Sequence, residues 1–317
     1  MNYTNKLRQL YSKLLNLHFE NWSIYLLSSN NFISSIDNGK FNMESAKNLS
    51  FLKISRPDKK HIIAADPYFL TNNMLLFESI STTTGRGCIF SYDLISGEYN
   101  SLDLDPLHHY SFPRTFIIDS RTYLTLESHT QKGLSIYLIE DMNTLSIKRI
   151  YTNKYSAERD YTIIDPVILI DKESVRLLCT SIEGKDHVRH IFRSTKGLNQ
   201  FNFTLEKNIY IVPNVNGIGK TMRSAGGLFT YRGCEYFPMQ MRSKSYGDGI
   251  WLLDKSYNNS KISETNELVN FSSESRRIGP HTLNYSPNRE ILAIDSYTKD
   301  LALSYLKIKW FLKSIYN

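Results

Sequence analysis

Cysteine is scarce in this sequence, and its scarcity excludes two kinds of stabilisation. The 317 residues include three cysteines, Cys88, Cys179 and Cys234, an odd number spread widely along the chain. Their spacing to one another and to histidine is not that of a metal site, and an odd set does not form a disulfide framework. The sequence therefore predicts no metal, no cofactor and buried free thiols in a reducing compartment.

Long apolar runs and targeting signals are also missing. The N-terminus, MNYTNKLRQLYSKLLNLHFENW, has no unbroken apolar core and no small-residue cleavage site, and no window approaches a transmembrane span. We expect a short amphipathic helix over residues 1–21 and a cytoplasmic location. The tail over residues 301–317 mixes Leu, Ile, Trp and Phe with three lysines. We favour a segment packed on the body; the alternative is a peripheral contact with the inner face of a membrane.

Charge of one sign is not concentrated anywhere. The net charge is +7, and no basic stripe with interleaved aromatic residues stands out, so we expect no nucleic-acid partner. The modest positive charge permits an anionic partner, such as a nucleotide- or phosphate-activated sugar donor, without requiring one. With 41% hydrophobic and 22% charged residues, the composition is that of a globular protein.

Helical periodicity is absent between the two ends, which excludes a parallel α/β sheet. Instead, short β-type runs alternate with turns and group into units about fifty residues apart, the spacing of four-stranded propeller blades. The units open at ADPYFL, YSFPRTFI, IIDPVILI, RSAGGLFTY and GPHTLNYS. The first three share a second strand, LLFES, LTLES and RLLCTS. We predict an all-β fold, a single five-bladed β-propeller over residues 22–300.

A proline recurs where four of the five units open. It follows Asp66, Phe112, Asp165 and Gly279. Because proline cannot donate into a sheet ladder, we expect it at the first residue of each innermost strand. The residues before it would then converge on one central funnel.

Three carboxylates, Asp66, Glu127 and Asp165, are the predicted catalytic residues, with Glu78 as a fourth acid. Glycosidic-bond chemistry needs a base or nucleophile on one side and a proton donor on the other, and a third acid can tune the donor. The alternative for Asp66 and Asp165 is a turn cap before a strand. The alternative for Glu78 and Glu127 is a strand-end charge facing water.

Polar residues in the same units supply the donors and acceptors that sugar hydroxyls or phosphates require. The predicted substrate-binding residues are Glu78, His109, Arg223, Gln240, Arg242, Tyr246, His281 and Asn284. The alternative is ordinary loop polarity. The stretch NVNGIGKTMRS does not match a phosphate loop, and neither G-x-S-x-G nor H-E-x-x-H occurs.

Short motifs in a fixed order resemble a known family. They are ADPYF, LLFES, GRGCIFSY, HHYSFPRTF, YLTLES, RSAGGLF, PMQ…YGDGI and HTLNY…AIDSY. Over roughly residues 22–297 the chain resembles the N-terminal domain of the plant glucosamine inositolphosphorylceramide transferases and its bacterial relatives. That domain is similar to the five-bladed propellers of glycoside hydrolase families 43 and 32.

The resemblance implies a role for each acid. Asp66 takes the position of the base or nucleophile, Glu127 that of the proton donor, and Asp165 that of the aspartate opening the third unit. Two departures are visible: Leu126 replaces the proline of a Pro-Glu-Ser motif, and Phe112 stands where many hydrolases have aspartate. A complete hydrolase triad is therefore not reproduced.

Three functions follow as hypotheses, because a fold alone does not choose among them. The favoured one is a glycosyltransferase of cell-surface polysaccharide or glycolipid biosynthesis, with a sugar donor and a glycan or glycolipid acceptor as partners. The alternative is a glycoside hydrolase or phosphorylase. The third is a non-catalytic glycan-binding propeller.

Overall fold

The computed structural model describes residues 19–35, 40–42, 49–128, 134–153, 163–170, 174–183, 186–194, 201, 203–211, 220–231, 233–241, 247, 249–255, 261–262, 270–272, 277–300, 306 and 309–310. Within these ranges the chain is mostly β-strand, with few helical residues. It begins with β1 (Phe19–Ser28), helix α1 (Ser29–Ser35), β2 (Lys40–Asn42) and β3 (Ser50–Ile54). These elements join sheets that the chain completes only near its other end.

The next twelve strands form three antiparallel blades in chain order, each with four strands of its own. Blade I contains β4 (His61–Phe69), β5 (Met74–Ser81), β6 (Gly87–Asp93) and β7 (Tyr99–Ser101). Blade II contains β8 (Ser111–Ile118), β9 (Arg121–Glu127), β10 (Leu134–Asp141) and β11 (Ser146–Asn153). Blade III contains β12 (Ile164–Ile170), β13 (Val175–Glu183), β14 (Asp186–Ser194) and β15 (Phe203–Ile211).

The last two blades are more irregular. Blade IV contains β16 (Lys220–Ser224), β17 (Phe229–Tyr231), β18 (Cys234–Met241) and β19 (Gly249–Asp254). Next, β20 (Lys261–Ile262) adds to blade III beside β15, and β21 (Asn270–Ser272) adds to blade IV, where β2 pairs with it in parallel. Blade V contains β22 (Arg277–Ile278), β23 (Leu283–Tyr285) and β24 (Ile291–Asp300).

The innermost strands contact one another around a common axis. Contacts join β4 to β8, β8 to β12, β12 to β16, and β23 back to β4. The five predicted units open at these strands, and LLFES, LTLES and RLLCTS lie on the second strands β5, β9 and β13. The prediction of a five-bladed β-propeller is confirmed.

The ring closes through strands from both ends of the sequence. Strand β1 pairs antiparallel with β24 from Phe19↔Asp300 to Ser28↔Ile291, and β3 pairs with β1 on its other side. Blade V is therefore built from three late and two early strands. Because closure joins the first strand to the last, ring formation depends on contacts of the longest sequence separation.

Apolar clusters fill the spaces between neighbouring blades. One cluster joins β1 and β24 of blade V to blade I through Leu26, Phe77 and Ala293. Corresponding clusters lie between blades I and II, II and III, III and IV, and IV and V. Each blade thus buries both faces, which explains the near-continuous burial of inner strands such as β4.

Of the four X-Pro pairs at the unit openings, Gly279-Pro280 lies between β22 and β23. The other three lie inside strands rather than at their first residues, which corrects the sequence-based expectation. They are Asp66-Pro67 in β4, Phe112-Pro113 in β8 and Asp165-Pro166 in β12. The ladder register shifts at each pair, between Ala65 and Tyr68 in the first. Proline is tolerated there because a β-bulge interrupts the ladder.

The terminal segments are described only in part. The predicted helix over residues 1–21 lies mostly outside the described residues, and Phe19 already belongs to β1. In the predicted tail, Leu306 is buried in a cluster with Trp22 and Ile62, and Trp310 packs against it. No helix of the described residues is long and apolar enough to cross a membrane.

We predict that Leu26→Ala destabilises the ring strongly. Leu26 is fully buried between blades V and I, so its truncation leaves a cavity that typically costs about 2–5 kcal/mol of unfolding free energy. Denaturant titration measures the loss. Leu205→Ala is the matched control, because Leu205 on β15 is 48% exposed. Equal losses of unfolding free energy in Leu26→Ala and Leu205→Ala would show that Leu26 does not stabilise the closure of the ring between blades V and I.

Candidate active site

A cavity of about 300 Å³ lies where blades I, II, IV and V meet. It contains six of the predicted site residues and several others. Its described lining residues are Glu20, Trp22, Ile63, Ala65, Asp66, Glu78, Ile80, His109, Ser111, Glu127, Arg223, His281 and Trp310. Acids from four different strands, β1, β4, β5 and β9, therefore face one space, and Asp165 is not among its described lining residues.

Backbone bulges orient the residues that precede proline, and of these Asp66 lines the cavity. The residues before proline adopt left-handed backbone angles, with φ of 53° at Asp66, 49° at Phe112 and 49° at Asp165. Asp tolerates this region better than most residues, whereas it is an outlier for phenylalanine. Such angles cost of order 1–3 kcal/mol each and persist only where surrounding contacts hold them.

Those contacts are hydrogen bonds to carboxylates of the preceding blade. The Asp66 N–H donates to Asp295 Oδ2 of blade V at 2.9 Å. The Phe112 N–H donates to Asp66 Oδ2 of blade I at 3.3 Å. The Asp165 N–H donates to Glu127 Oε2 of blade II at 2.8 Å. Each bulge is thereby tied to the acid before it, and the acids are held in the funnel.

Asp165 is held by a side chain from blade IV. Arg223 donates to both its carboxylate oxygens, from Nε at 2.7 Å and Nη2 at 2.9 Å, in a bidentate pair. The same Nη2 lies 3.7 Å from Glu127 Oε2. Gln240 donates from Nε2 to Asp165 Oδ2 at 3.3 Å and to the Ser224 carbonyl at 2.9 Å. Asp165 is therefore a buried ionic partner of Arg223 behind the cavity wall.

The environment of Glu127 favours its protonated form. Burial raises the pKa of Glu127 well above the ordinary value, the negative charge of Asp165 raises it further, and Arg223 opposes both effects. A carboxylic acid that keeps its proton near neutral pH can act as a general acid.

Glu78 forms a second carboxylate site with His109. Nε2 of His109 lies 3.3 Å from Glu78 Oε1, and Nδ1 accepts the N–H of Gly87 at 2.8 Å. Since Nδ1 accepts, Nε2 carries the hydrogen and donates to Glu78. A Cβ on Gly87 would lie 2.6 Å from Glu78 Oε1, so only glycine permits this arrangement. Burial raises the pKa of Glu78, and the hydrogen bond from His109 opposes it.

His281 and Asp295 complete the cluster around Asp66. Nδ1 of His281 lies 3.3 Å from Asp66 Oδ1 and 3.4 Å from Asp295 Oδ2. These three groups each offer a ligand atom within 4.8 Å of the others, a donor set that a cation could use. Both oxygens of Asp295, however, already accept backbone N–H groups, so a cation here would displace existing hydrogen bonds.

A buried arginine compensates the negative charge. Arg114 is 3% exposed, donates to the Pro113 carbonyl at 2.6 Å and lies 3.7 Å from the centroid of the Phe112 ring. Burial lowers its pKa to about 10, and the charges of Asp66, Asp165 and Asp295 oppose that shift. The guanidinium therefore stays charged at neutral pH beside the three aspartates.

Four predicted substrate-binding residues are not among the described residues of the wall. Gln240 lies behind Asp165, and Asn284 donates to the Pro67 carbonyl at 2.6 Å, joining blades V and I. Arg242 and Tyr246 lie outside the described residues. Contact of these four residues with a substrate stays a prediction.

Sequence reasoning missed several residues of the site. Asp295 was visible only within the AIDSY motif, and no pattern showed that it accepts three backbone N–H groups. Glu20, Trp22 and Trp310 come from the two ends of the chain, which the repeat does not cover. A tryptophan in the otherwise apolar tail was the one available signal for Trp310.

A larger cleft, of about 610 Å³, lies elsewhere on the propeller. Its described lining residues are Asp119, Arg121, Tyr123, Leu138, Ile150, Tyr151 and Phe201. It contains none of the predicted site residues and no cluster of buried acids. The smaller central cavity is therefore the candidate active site.

No family model matches the sequence, and no curated protein matches it. Solved structures similar in fold include a thermostable family-43 glycoside hydrolase, 13% identical, with a TM-score of 0.46 over 74% of this chain and 88% of its own. An α-L-arabinofuranosidase from Podospora anserina, solved with cellotriose, is 12% identical, with a TM-score of 0.47 over 77% and 95%. The catalytic domain of a family-62 α-L-arabinofuranosidase from Coprinopsis cinerea is 12% identical, with a TM-score of 0.47 over 74% and 90%.

These neighbours are glycoside hydrolases with the same kind of propeller, and the likeness concerns the arrangement of blades. At this identity and TM-score it assigns no activity to the chain. The comparisons give no support to the resemblance with the inositolphosphorylceramide transferase domain, which stays a prediction.

We predict that Glu127→Gln flattens the dependence of stability on pH. A raised native-state pKa contributes stability that is complete below the unfolded-state value, about 4.3, and is lost as pH rises through the native value. The wild type should therefore lose more thermal stability than Glu127→Gln between about pH 4 and about pH 8. Thermal unfolding at several pH values measures this. Glu140→Gln, at an exposed position, is the control. If thermal stability falls with pH as steeply in Glu127→Gln as in the wild type, the pKa of Glu127 is not raised in the folded protein.

We predict that Asp295→Asn destabilises the fold. Oδ2 accepts the Asp66 N–H, and Oδ1 accepts those of His281 and Thr282, at 2.9, 3.1 and 2.6 Å. An amide places N–H against at least one of these donors, at a cost of about 1–3 kcal/mol for each donor left unsatisfied.

Asp93→Asn is the matched control for Asp295→Asn. One oxygen of Asp93 accepts two N–H groups in a surface turn, at 2.8 Å each, so an amide oxygen can keep both. Denaturant titration compares the variants. A loss in Asp295→Asn no larger than in Asp93→Asn would show that the buried carboxylate does not hold the bulge.

Proposed function

We propose that this chain is a carbohydrate-active enzyme that hydrolyses a glycosidic bond of a neutral glycan in the central cavity. The observation that carries the proposal is a pair of carboxyl groups in unlike environments facing one cavity. Asp66 accepts the backbone N–H of Phe112 and lies beside His281. Glu127 is buried, and its burial raises its pKa. Glycoside hydrolysis requires two carboxyl groups beside the scissile bond, one that donates a proton and one that acts as a base or nucleophile.

The roles follow from these environments. Glu127, protonated, gives its proton to the oxygen of the leaving sugar as the bond between that oxygen and the anomeric carbon breaks. Asp66 either takes a proton from the attacking water or attacks the anomeric carbon itself, the two classes of glycoside hydrolysis. Asp165 and Arg223 position Glu127 and set its pKa. Water supplies the hydroxyl group and the hydrogen that the two products gain.

The charge of the cavity wall favours hydrolysis of a neutral glycan over transfer from a phosphorylated donor. Four acids line the described wall: Glu20, Asp66, Glu78 and Glu127. The arginine among the described lining residues, Arg223, is held by Asp165 and Glu127. Phosphate groups entering this space would meet carboxylates, and like-charge contacts reject such ligands. Hydroxyl groups, by contrast, donate to carboxylates.

We predict that Asp66→Asn and Glu127→Gln lose hydrolytic activity on different sets of substrates. Assays use p-nitrophenyl and methyl glycosides of α-L-arabinofuranose, β-D-xylose and β-D-galactose. Asp66→Asn should lose roughly 10²–10⁴-fold in kcat on both kinds of glycoside, because nothing activates the nucleophile. Glu127→Gln should lose a similar factor on methyl glycosides but much less on p-nitrophenyl glycosides, since that leaving group departs without a proton.

Asp119→Asn is the control for Asp66→Asn, because Asp119 also has a left-handed backbone, φ 48°, but is exposed. Asparagine tolerates this backbone, so both variants should fold. Full activity in Asp66→Asn would overturn the proposal. Equal losses on the two kinds of glycoside in Glu127→Gln would remove the proton-donor role from Glu127, and Glu78→Gln would then be tested in the same way.

A further inference from the structure

The C-terminal segment contributes a wall of the cavity. Leu306 is 2% exposed and packs with Trp22, Ile62 and Ile63 close to the inner strand β4. Trp310, four residues further on, lines the cavity together with Trp22. A segment that composition described as apolar and lysine-rich thus places an aromatic ring beside the candidate catalytic acids.

Trp310 is fixed from two directions. Its indole Nε1 donates to the Thr82 carbonyl at 3.1 Å. Its ring packs on Gly85, where a Cβ would lie 2.8 Å from Cδ2 and 3.1 Å from both Cε2 and Cε3 of the indole. Gly85 has φ +71° and its N–H donates to the Ser81 carbonyl at 2.8 Å, closing the hairpin between β5 and β6. The turn at Gly85 therefore presents a flat surface, here called the seat, on which the indole ring packs.

The cavity combines this aromatic wall with hydrogen-bond acceptors. Trp22 is held by ring contacts with His281 at 4.9 Å and Tyr297 at 4.4 Å between centroids. Facing the two indoles are carboxylates, including those of Asp66 and Glu127. The C–H groups of a sugar ring carry partial positive charge and suit the negative face of an aromatic ring, while its hydroxyls suit the carboxylates. At about 300 Å³ the cavity is at the small end of ligand pockets.

We propose that Trp310 is a substrate-binding residue, which forms one wall of a subsite for a single neutral sugar ring, and that Gly85 is the seat that positions it. This inference rests on the proposed function and deepens it, since it names the group that the cavity receives. It also gives the tail a role at the active site rather than at a membrane.

The test is a titration of the whole chain with free L-arabinose, D-xylose, D-glucose and D-galactose, followed by tryptophan fluorescence. The chain has three tryptophans, and the third, Trp251, is buried in the core of blade IV, so a sugar-induced change reports on Trp22 and Trp310. Trp310→Ala should weaken binding of the responding sugar roughly tenfold, the size expected for loss of one stacked aromatic contact with its buried area. Thermal unfolding verifies that each variant is folded.

Gly85→Ala tests the seat without altering any side chain of the cavity. The added methyl group displaces the indole, so binding should weaken by a similar factor. The double variant Gly85→Ala/Trp310→Ala should bind no more weakly than Trp310→Ala, because the two changes remove the same contact. Gly97→Ala is the matched control: Gly97 closes the next hairpin with φ +74°, its N–H donates to the Asp93 carbonyl at 2.9 Å, and the nearest atom to its Cβ is 3.8 Å away.

The outcomes separate this inference from the proposed function. A wild-type response that Trp310→Ala and Gly85→Ala both weaken, while Gly97→Ala keeps it, supports the subsite. A wild-type response that Trp310→Ala keeps at full affinity overturns the subsite and leaves the proposed function standing. A wild type that responds to none of the four sugars overturns both. Should Trp310→Ala not fold, Gly85→Ala and Trp310→Phe carry the same test, with Trp310→Phe expected to retain most of the affinity.

Discussion

The hydrogen bond from a left-handed backbone N–H to the carboxylate of the preceding blade is the interaction on which the rest of this structure depends. It occurs at Asp66, Phe112 and Asp165, and it joins blades V to I, I to II, and II to III. An exposed acid such as Asp93 also accepts backbone N–H groups, but water competes for those bonds and weakens their net contribution. Buried, the same bond supplies a charge-assisted contact, offsets the strain of the positive φ and fixes an acid beside the funnel. Fold stability and candidate catalysis therefore share the same side chains.

This sharing has an electrostatic cost that the neighbouring cations offset. Asp66, Asp165 and Asp295 are each buried, and buried charges persist only when paired and hydrogen-bonded. Arg223 binds Asp165, the charge of Arg114 interacts with the charges of all three aspartates, and His281 lies between Asp66 and Asp295. Glu127 has less compensation than Asp165, since its nearest Arg223 nitrogen is 3.7 Å away, against 2.7 Å for Asp165. The weaker pairing leaves burial as the dominant effect, and the pKa of Glu127 rises.

The repeat in the sequence was sufficient to predict the blade count. It also led us to expect that the residues before proline converge on one funnel; of the two aspartates among them, Asp66 lines the described cavity, whereas Asp165 lies behind its wall. The position of proline was wrong, since a bulge inside the strand tolerates proline as well as a strand entry does. The partners of the acids could not be predicted: Asp295 meets Asp66 across 229 residues, and Arg223 meets Asp165 across 58. No local pattern encodes such pairings. They follow from how neighbouring blades pack.

The aromatic wall and the acids are physically connected. Burial is the main cause of the raised pKa of Glu127, and a cavity lined by Trp22 and Trp310 holds less water than one open on all sides. Packing of the C-terminal segment beside the funnel therefore has two effects: it presents an apolar surface where we propose that a sugar ring binds, and it shields Glu127, the proposed proton donor, from water. Because both effects depend on the seat at Gly85, a hairpin turn with no catalytic group of its own sets conditions for the chemistry.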